Sequence, residues 1–287
     1  MPEAIEGEVT RRLVRVAHSP DSDDAFMFEP LVSDRVAVDG LRFAHVLLDI
    51  ESLNEAARRA TYEVSAISFA AFPWVASRYR LMGCGASMGE GYGPVVVAAR
   101  PLVRQDLRRR RVAVPGLRTS ACLAARLWLD DFEAVPVRFD RIGEAVLGGE
   151  VDAGVLIHEG QLTYREDGLH AVENLGAWWA RRTGGLPLPL GGDVVRRDLG
   201  DDLAVRVTRA VRASIEHALA HRERALDSAL RYARGLTREQ ADRFVSMYVN
   251  ARTVDLGADG RRAVRLFLEM GRDRGLLPDF GHIEFVV

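Results

Sequence analysis

The first hundred residues alternate short apolar runs with segments whose apolar residues recur at helical spacing. Each run is long enough for one buried strand, and the runs lie at residues 14–17, 43–48 and 64–68. Residues 21–23 are all good N-cap types ahead of one helical segment, and Ser52 with Glu55 predicts a capping box at the start of another. This rhythm predicts a mainly parallel α/β sheet with helices on both faces.

A second unit of the same kind begins near residue 112. A strand at 112–114 leads through a tight turn into a helix over 122–129, and a further strand lies at 154–157. The second unit therefore repeats the α/β pattern of the first. Because a chain of 287 residues is long for a single core, two domains are the natural expectation.

Glycine and proline mark two connecting segments. Residues 83–93 are glycine-rich and predict a bend at a sheet edge, whereas 186–192 hold two prolines and two glycines and predict a rigid crossing between domains. Beyond residue 201 the apolar residues follow helical spacing over 203–233 and 263–268. We expect the C-terminal third to be almost wholly helical.

Composition narrows the class of protein. Hydrophobic residues make up 48% of the chain, charged residues 28%, and the formal net charge is −2, so no global charge attracts nucleic acid or an anionic membrane. The basic run 108–111 precedes a strand, which favours a solvated turn over a phosphate site. All 39 basic residues are arginine, and the absence of lysine excludes Schiff-base catalysis by this chain.

Several features predict a cytoplasmic protein. The first eight residues are acidic and lack the apolar segment of a signal peptide, and no apolar stretch approaches membrane-spanning length. Cys84 and Cys122 lie far apart without metal-binding spacing, as expected for two buried thiols. His217 and His221 lie four residues apart, and we favour a solvated helix face over a metal site there.

His158 is the main candidate for chemistry. It follows an apolar strand directly, and open α/β sheets place their ligands at the carboxyl ends of strands. Its imidazole suits proton transfer near neutral pH, although a histidine that only caps the strand is an open alternative. Thr119 and Ser120 stand at a predicted helix start, which is either a plain N-cap or an anion site for a carboxylate or phosphate.

The order of the motifs resembles one known family. Its most specific part is Ala-Trp-Trp at 177–179 followed by Leu-Pro-Leu-Pro-Leu-Gly at 186–191. Further matches lie at 49–54, 67–71, 93–98, 112–116, 156–159, 163–164 and 248–251. Together they make the chain similar, from about residue 14 onward, to 1,4-dihydroxy-6-naphthoate synthases of the futalosine route to menaquinone.

The resemblance implies a fold and a reaction. The fold would be α/β and two-lobed, like a type II periplasmic binding protein, with the ligand cleft between a large lobe (1–100 and 193–287) and a small lobe (101–192). The reaction would be a carbon–carbon lyase step that converts cyclic dehypoxanthinyl futalosine to 1,4-dihydroxy-6-naphthoate and a dihydroxyacetone fragment. We expect no metal, no organic cofactor, a small-molecule substrate as the only partner, and a monomer or homodimer.

The resemblance also assigns site residues. His158 falls on the general base of the family, and the substrate-binding positions fall on Asp23, Asp24, Ala66, Ile67, Ser68, Thr119, Ser120 and Ala121. The amides around 119–121 would position a carboxylate of the substrate.

Two departures bear on the substrate. The family shows Ser-Pro-Cys-Pro-Asn-Asp-Thr-Phe where this chain has Ser-Pro-Asp-Ser-Asp-Asp-Ala-Phe at 19–26, and Ala66 stands where a lysine is expected. Added carboxylates and a lost cation would weaken binding of a carboxylated substrate unless an arginine such as Arg118 compensates. The alternatives are a non-catalytic carboxylate-binding protein of the same fold, or a sister enzyme such as chorismate dehydratase.

Overall fold

A computed structural model describes residues 11–232 and 237–287. The expectations for the first eight residues and for a helix reaching Ala233 lie outside these described residues. The strands are β1 (Arg12–His18), β2 (Leu41–Leu47), β3 (Val64–Ser68), β4 (Tyr79–Met82), β5 (Ser87–Gly89), β6 (Val95–Ala98), β7 (Arg111–Val114), β8 (Glu133–Pro136), β9 (Ala153–Leu156), β10 (His170–Asn174), β11 (Leu188–Arg196) and β12 (Phe285–Val286).

The helices follow the strands in the predicted alternation. They are α1 (Ser22–Val32), α2 (Ile50–Arg58), α3 (Ser120–Trp128), α4 (Ile142–Leu147), α5 (Gly160–Thr163), α6 (Leu175–Thr183), α7 (Asp201–Ala220), α8 (Arg222–Ala229), α9 (Arg238–Tyr248), α10 (Ala251–Val254) and α11 (Gly257–Asp273). Beyond residue 201 the described residues are mostly helical, as expected, apart from the segment 274–284 and β12. None of the helices in the described ranges combines the length and the apolarity that a bilayer crossing requires.

Within the described residues the strands form two sheets. Seven strands make one sheet in the order β12-β4-β11-β3-β1-β2 with β5 beside β11, and five make the other in the order β10-β6-β9-β7-β8. We call the first sheet with its helices the large lobe and the second the small lobe. The predicted lobe boundaries stay a prediction: β6 lies in the small-lobe sheet and β11 in the large-lobe sheet, each close to a predicted boundary.

The sheets are more mixed than the sequence rhythm predicts. Parallel pairs join β1 to β2 and β3, and β7 to β8 and β9, as expected. In contrast, β11 runs antiparallel to β3, β4 and β5, and β6 runs antiparallel to β9 and β10. Antiparallel strands enter where the chain crosses between lobes, because the crossing segments pair with a sheet instead of passing over it.

One local prediction is refined and another is wrong. The segment 186–192 is largely the start of β11, which brings the chain into the large-lobe sheet, with a register irregularity between Pro189 and Gly191 that accommodates the proline. Helix α2 is capped by Asp49, which accepts a hydrogen bond from the Ser52 amide at 3.1 Å, so the predicted capping box beginning at Ser52 is displaced. The glycine-rich segment 83–93 contains the short strand β5.

One buried tryptophan joins the lobes. Trp179 of α6 is fully buried, packs edge-on against Phe267 of α11 with ring centroids 5.4 Å apart, and donates its indole N–H to the Pro187 carbonyl at 3.0 Å. A buried indole that is both packed and hydrogen-bonded holds its neighbours firmly. The most specific sequence motif therefore fixes the approach of the chain to β11, which forms part of the cleft floor.

Candidate active site

All of the predicted site residues line one cleft between the two sheets. The cleft has about 760 Å³ of empty space, part of it open to solvent. Its lining includes His158, Asp23, Asp24, Ala66, Ile67, Ser68, Thr119, Ser120 and Ala121. The ends of β1, β3 and β9 and the start of α3 bring these residues together from positions far apart in the chain.

The large-lobe wall is built on the loop between β1 and α1. Asp24 accepts hydrogen bonds from the Ser19 amide at 2.8 Å and from the Ser19 hydroxyl at 2.7 Å, which holds the loop in a tight turn. Burial raises the pKa of Asp24 to about 6, although the Ser19 hydrogen bonds favour the ionised form. Asp24 therefore shapes this wall as well as facing the cleft.

Asp23 lies beside Asp24 in the first turn of α1, where its side chain is buried and lines the cleft. Its Oδ1 atom is buried and has no hydrogen-bond partner within the described residues. Burial, followed by the nearby charge of Asp24, raises the pKa of Asp23 well above its ordinary value. Asp23 consequently holds its proton to a higher pH than an ordinary aspartic acid and can donate a hydrogen bond into the cleft.

Strand β3 forms the next part of this wall. Ala66, Ile67 and Ser68 line the cleft, and the Ser68 amide donates to the Asn54 side-chain oxygen at 3.0 Å. Asn54 belongs to α2, so the end of β3 is tied to the helix that precedes it in the chain. The small side chain of Ala66 leaves space at the position where the family pattern has a lysine.

The small-lobe wall centres on the first turn of α3. The Thr119 hydroxyl caps the helix by accepting from the Cys122 amide at 3.2 Å and donates to the Gly116 carbonyl at 2.8 Å. The Ser120 hydroxyl donates to the Leu190 carbonyl at 2.6 Å and accepts from the Ala70 amide at 3.2 Å. Both hydroxyls are therefore engaged within the protein.

Because both hydroxyls are engaged within the protein, they bear on whether this helix start is a plain N-cap or an anion site. Thr119 is an N-cap, and Ser120 ties α3 of the small lobe to residues of the large lobe. The backbone N–H groups of Ser120 and Ala121 belong to the first turn, which has no intrahelical acceptors, and both residues line the cleft. What the wall offers a ligand is thus backbone N–H groups with the positive end of a helix dipole.

Arg118 does not supply the missing cation. It forms an ion pair with Glu55 of α2 and lies over the Trp74 ring, 5.6 Å from its centroid. It is absent from the residues that line the cleft, and among the described lining residues no arginine appears. Two helix starts line the cleft, those of α1 and α3. The first turn of α3 holds no acidic residue, whereas that of α1 holds Asp23 and Asp24, so the start of α3 is the more positive of the two.

His158 projects from the end of β9 into the cleft. Its backbone has φ +53°, a left-handed conformation that few non-glycine residues adopt. The ring meets Phe139 edge-on with centroids 4.9 Å apart, and its Nδ1 atom lies 3.3 Å from Oδ2 of Asp21. The side chain is 18% exposed, so it is held in place and still reachable from the cleft. This geometry differs from that of a histidine that only caps a strand.

Three residues of functional interest were not among the predicted site residues. Asp21 stands at the N-cap position of α1 but makes no side-chain capping bond, and approaches His158 instead. Gln161 and Tyr248 line the cleft, and the Tyr248 hydroxyl donates to the Gln161 side-chain oxygen at 2.8 Å across the lobes. Burial raises the pKa of Tyr248. The motif match at 248–251 was the available signal for Tyr248.

Other sequence candidates lie away from the cleft. His217 and His221 stack with centroids 4.1 Å apart along α7, and the run 108–111 forms ion pairs with Asp131 and Asp152. Cys84 and Cys122 are buried free thiols. Within the described residues no group of three or more His, Cys, Asp and Glu side chains could hold a metal ion.

Comparisons with known proteins agree on one family. A family model described as "Menaquinone biosynthesis" matches residues 14–273. A 1,4-dihydroxy-6-naphthoate synthase from Thermus thermophilus is 45% identical over 92% of this chain and 95% of its own. A protein of the same name from Streptomyces coelicolor is 37% identical over 93% of this chain and 96% of its own.

Solved structures agree on the fold. A protein from Archaeoglobus fulgidus is 46% identical and superimposes with a TM-score of 0.88 over 92% of this chain and 98% of its own. An alkanesulfonate-binding protein from Xanthomonas axonopodis pv. citri, solved with bound MOPS, has a TM-score of 0.74 at 13% identity over 94% and 96% of the two chains. The fold is therefore that of a two-lobed periplasmic binding protein.

Proposed function

The chain belongs to the menaquinone biosynthesis family, and from that premise we propose that it is a carbon–carbon lyase acting on cyclic dehypoxanthinyl futalosine. The products would be 1,4-dihydroxy-6-naphthoate and a dihydroxyacetone fragment. Two relatives that carry the name 1,4-dihydroxy-6-naphthoate synthase over almost their whole length support this assignment. The observation that carries it is the placement of His158 and the start of α3 on one cleft.

Electrostatics orient such a substrate in the cleft. Its carboxylate is attracted to the N–H groups of Ser120 and Ala121 at the start of α3. It is repelled by the acidic loop, where Asp21, Asp23 and Asp24 lie close together without an arginine lining the cleft. The carboxylate end therefore faces the small lobe, and the hydroxyl-bearing end faces the loop, whose carboxyl oxygens accept hydrogen bonds.

His158 is then placed to act as the general base. The neutral imidazole takes a proton from the substrate, the electron pair released drives cleavage of the carbon–carbon bond, and formation of an aromatic ring supplies driving force. No oxidant or reductant is needed, because the two products together keep all atoms and electrons of the substrate. The proton taken up by His158 is returned as the three-carbon fragment leaves. Holding the substrate at both ends lowers the entropy that must be lost on reaching the transition state.

Asp23 complements the base. Because its pKa is raised well above the ordinary value, the group can hold a proton where other carboxyls are ionised. A protonated carboxyl facing the cleft can donate a hydrogen bond to a substrate oxygen on which negative charge develops. The pair thus provides a proton acceptor on the small lobe and a proton donor on the large lobe.

The direct test is turnover of purified protein with cyclic dehypoxanthinyl futalosine, followed by mass spectrometry. Appearance of 1,4-dihydroxy-6-naphthoate that is lost in His158→Ala supports the proposal. Thermal stabilisation by the same compound without product would indicate a binding protein of this fold. Neither product nor stabilisation would show that the acidic loop has changed the ligand, and the substrate would have to be abandoned. A cytoplasmic location and a monomer or homodimer stay predictions.

A further inference from the structure

Asp21 is the residue that approaches the proposed base most closely with a negative charge. We propose that Asp21 is a positioning residue that fixes the tautomer of His158, and that it does so across the two lobes. The inference rests on the proposed role of His158 and deepens it. It assigns a task to a loop residue that differs from the family pattern, in which a cysteine stands at this position.

The conformation of the loop directs the Asp21 side chain away from its helix. Asp21 holds the N-cap position of α1 with extended dihedral angles, φ −110° and ψ 159°, yet its side chain makes no capping bond. Its backbone carbonyl accepts from the Ala25 amide at 2.9 Å, so the main chain does start the helix. A good N-cap side chain that does not cap has another interaction, and here Oδ2 lies 3.3 Å from His158 Nδ1.

The contact selects one form of the imidazole. A neutral ring carries its proton on one nitrogen, and a carboxylate 3.3 Å from Nδ1 electrostatically favours the form with the proton on Nδ1. The lone pair then lies on Nε2, on the opposite edge of the ring, where a general base needs it. When the base takes up a proton, the same carboxylate stabilises the imidazolium that results.

The other contacts of His158 hold the ring without choosing its tautomer. Phe139 presents an apolar ring at 4.9 Å, and the left-handed backbone is held by a hydrogen bond from the Gln161 amide to the His158 carbonyl at 3.2 Å. Asp24 lies on the same loop as Asp21, but its Oδ2 atom is bound by Ser19. The charge of Asp24 also acts on His158, but among the described contacts the carboxylate that lies directly at Nδ1 is that of Asp21.

The pairing depends on the arrangement of the lobes. Asp21 follows β1 of the large lobe, whereas His158 follows β9 of the small lobe. Tyr248 and Gln161 bridge the lobes beside them. Separation of the lobes would break the contact and release the ring, so the base is oriented when the cleft is closed. Orientation of the base is thereby coupled to enclosure of the substrate.

Histidine ¹⁵N NMR on the ligand-free protein tests the proposal without any substrate. Spectra are recorded at a pH where the imidazoles are neutral, and His158 is assigned by its loss in His158→Gln. We expect Nδ1–H in the wild type and a change toward Nε2–H in Asp21→Asn, whose amide can donate to Nδ1. The exposed His170 and His282 serve as internal controls that should not change.

Matched variants separate positioning from loop structure. Asp23→Asn makes the same chemical change two residues away and should leave the His158 tautomer as it is. Asp21→Glu keeps a carboxylate at position 21 and should show the Nδ1–H form, as the wild type does. Kinetically, Asp21→Asn should lower kcat about 10- to 100-fold with little change in KM, the size expected for a residue that orients another. Loss of affinity with unchanged kcat would overturn the proposal.

The NMR experiment tests the positioning role of Asp21, and the turnover experiment tests the proposed function, so either proposal can be wrong without the other. Wild-type His158 in the Nε2–H form, or the same tautomer in wild type and Asp21→Asn, would overturn the positioning role whatever the enzyme does. The Nδ1–H form in wild type with reversal in Asp21→Asn, but no conversion of cyclic dehypoxanthinyl futalosine, would support the pairing and overturn the proposed function.

Discussion

The two walls of the cleft differ in the groups that they offer to a small polar molecule: one offers carboxyl side chains and the other backbone N–H groups. The large-lobe wall presents two buried carboxyl side chains from the first turn of α1, Asp23 and Asp24, with Asp21 at the N-cap position beside them. The small-lobe wall presents backbone N–H groups at the start of α3, with its hydroxyls already engaged. The large-lobe wall offers carboxyl groups, of which Asp23 keeps its proton to a higher pH than an ordinary aspartic acid, and the small-lobe wall attracts anions and donates hydrogen bonds from its backbone.

This difference in charge between the walls favours one orientation of a bound ligand. A molecule with a carboxylate at one end and hydroxyls at the other fits in one orientation only, and no arginine lining the described part of the cleft offers a second place for the carboxylate. His158 lies between the walls, attached to the small lobe and paired with Asp21 of the large lobe. The contrast therefore explains why the base stands where both ends of the substrate are held.

Removal of the base should have the largest effect. His158→Gln removes proton transfer and should lower kcat by about 10²- to 10⁴-fold, the usual contribution of a general base, while substrate still raises the melting temperature. Steady-state kinetics and thermal shift on the same preparation check both. A variant that retains a substantial part of its turnover would take His158 out of the base role.

Ser120→Ala tests whether the small-lobe wall binds the substrate through the backbone N–H groups of α3 and not through the Ser120 hydroxyl. The loss leaves the Leu190 carbonyl and the Ala70 amide without this partner, so we expect a fall of about 1–3 kcal/mol in the free energy of unfolding. Substrate affinity should change little. Denaturant unfolding and calorimetric binding are the measurements, with exposed Ser77→Ala as the control that should change stability by less than about 0.5 kcal/mol. A large loss of affinity without loss of stability would assign the hydroxyl to the ligand.

Asp23→Asn tests how much the ionisation of the buried Asp23 carboxyl group destabilises the folded protein. A carboxyl whose pKa is raised in the folded state makes the native protein bind more protons than the unfolded chain, so its contribution to stability falls as pH rises above the ordinary value of 3.8. The variant lacks this penalty and should be more stable than wild type at pH 7. The direction of the expected change follows from the raised pKa of Asp23, and urea unfolding of both proteins at pH 7 measures it.

The pH dependence supplies the control for Asp23→Asn. The difference in unfolding free energy between variant and wild type should be small near pH 4 and grow toward pH 7, measured by urea unfolding at several pH values. A difference that does not vary with pH would mean that the side chain is not strained by burial. In that case Asp23 would lose its proposed role as a proton donor.

The smallest effect concerns the bridge between the walls. Tyr248→Phe removes the hydrogen bond to Gln161 across the lobes, worth about 1 kcal/mol, and should weaken substrate binding by about fivefold. Tyr79→Phe removes a similar bond to the Tyr62 carbonyl within the large lobe and should lower stability without changing affinity. Equal affinities of the two variants would show that the bridge does not contribute to closure.

The sequence predicted the site better than the sheets around it. The order of the family motifs predicted that His158, Ser68 and Ala121 lie on one cleft. These motifs stand at strand ends and helix starts, which short stretches of sequence identify. The direction of β11 and β6 was not predictable from apolar runs, since a buried run looks the same whether its neighbours run parallel or antiparallel. Asp49 displaced Ser52 as the cap of α2 because both residues have the chemistry of a cap and packing decides between them.

The contacts between lobes were the hardest to foresee. Asp21 has the sequence signature of an N-cap, and only the folded structure shows its side chain beside His158, 137 residues later in the chain. Ser120 resembled a ligand-binding hydroxyl, but its partners Leu190 and Ala70 come from other elements. Local pattern identifies which residues are able to form such contacts, and tertiary packing determines which contacts form.

The most direct test of the divided cleft is a crystal structure of His158→Gln with cyclic dehypoxanthinyl futalosine bound. The account predicts the substrate carboxylate within hydrogen-bond distance of the Ser120 and Ala121 amides, with the hydroxyl-bearing end beside Asp23. A carboxylate that lies against the acidic loop, or a substrate bound outside the cleft, would contradict it.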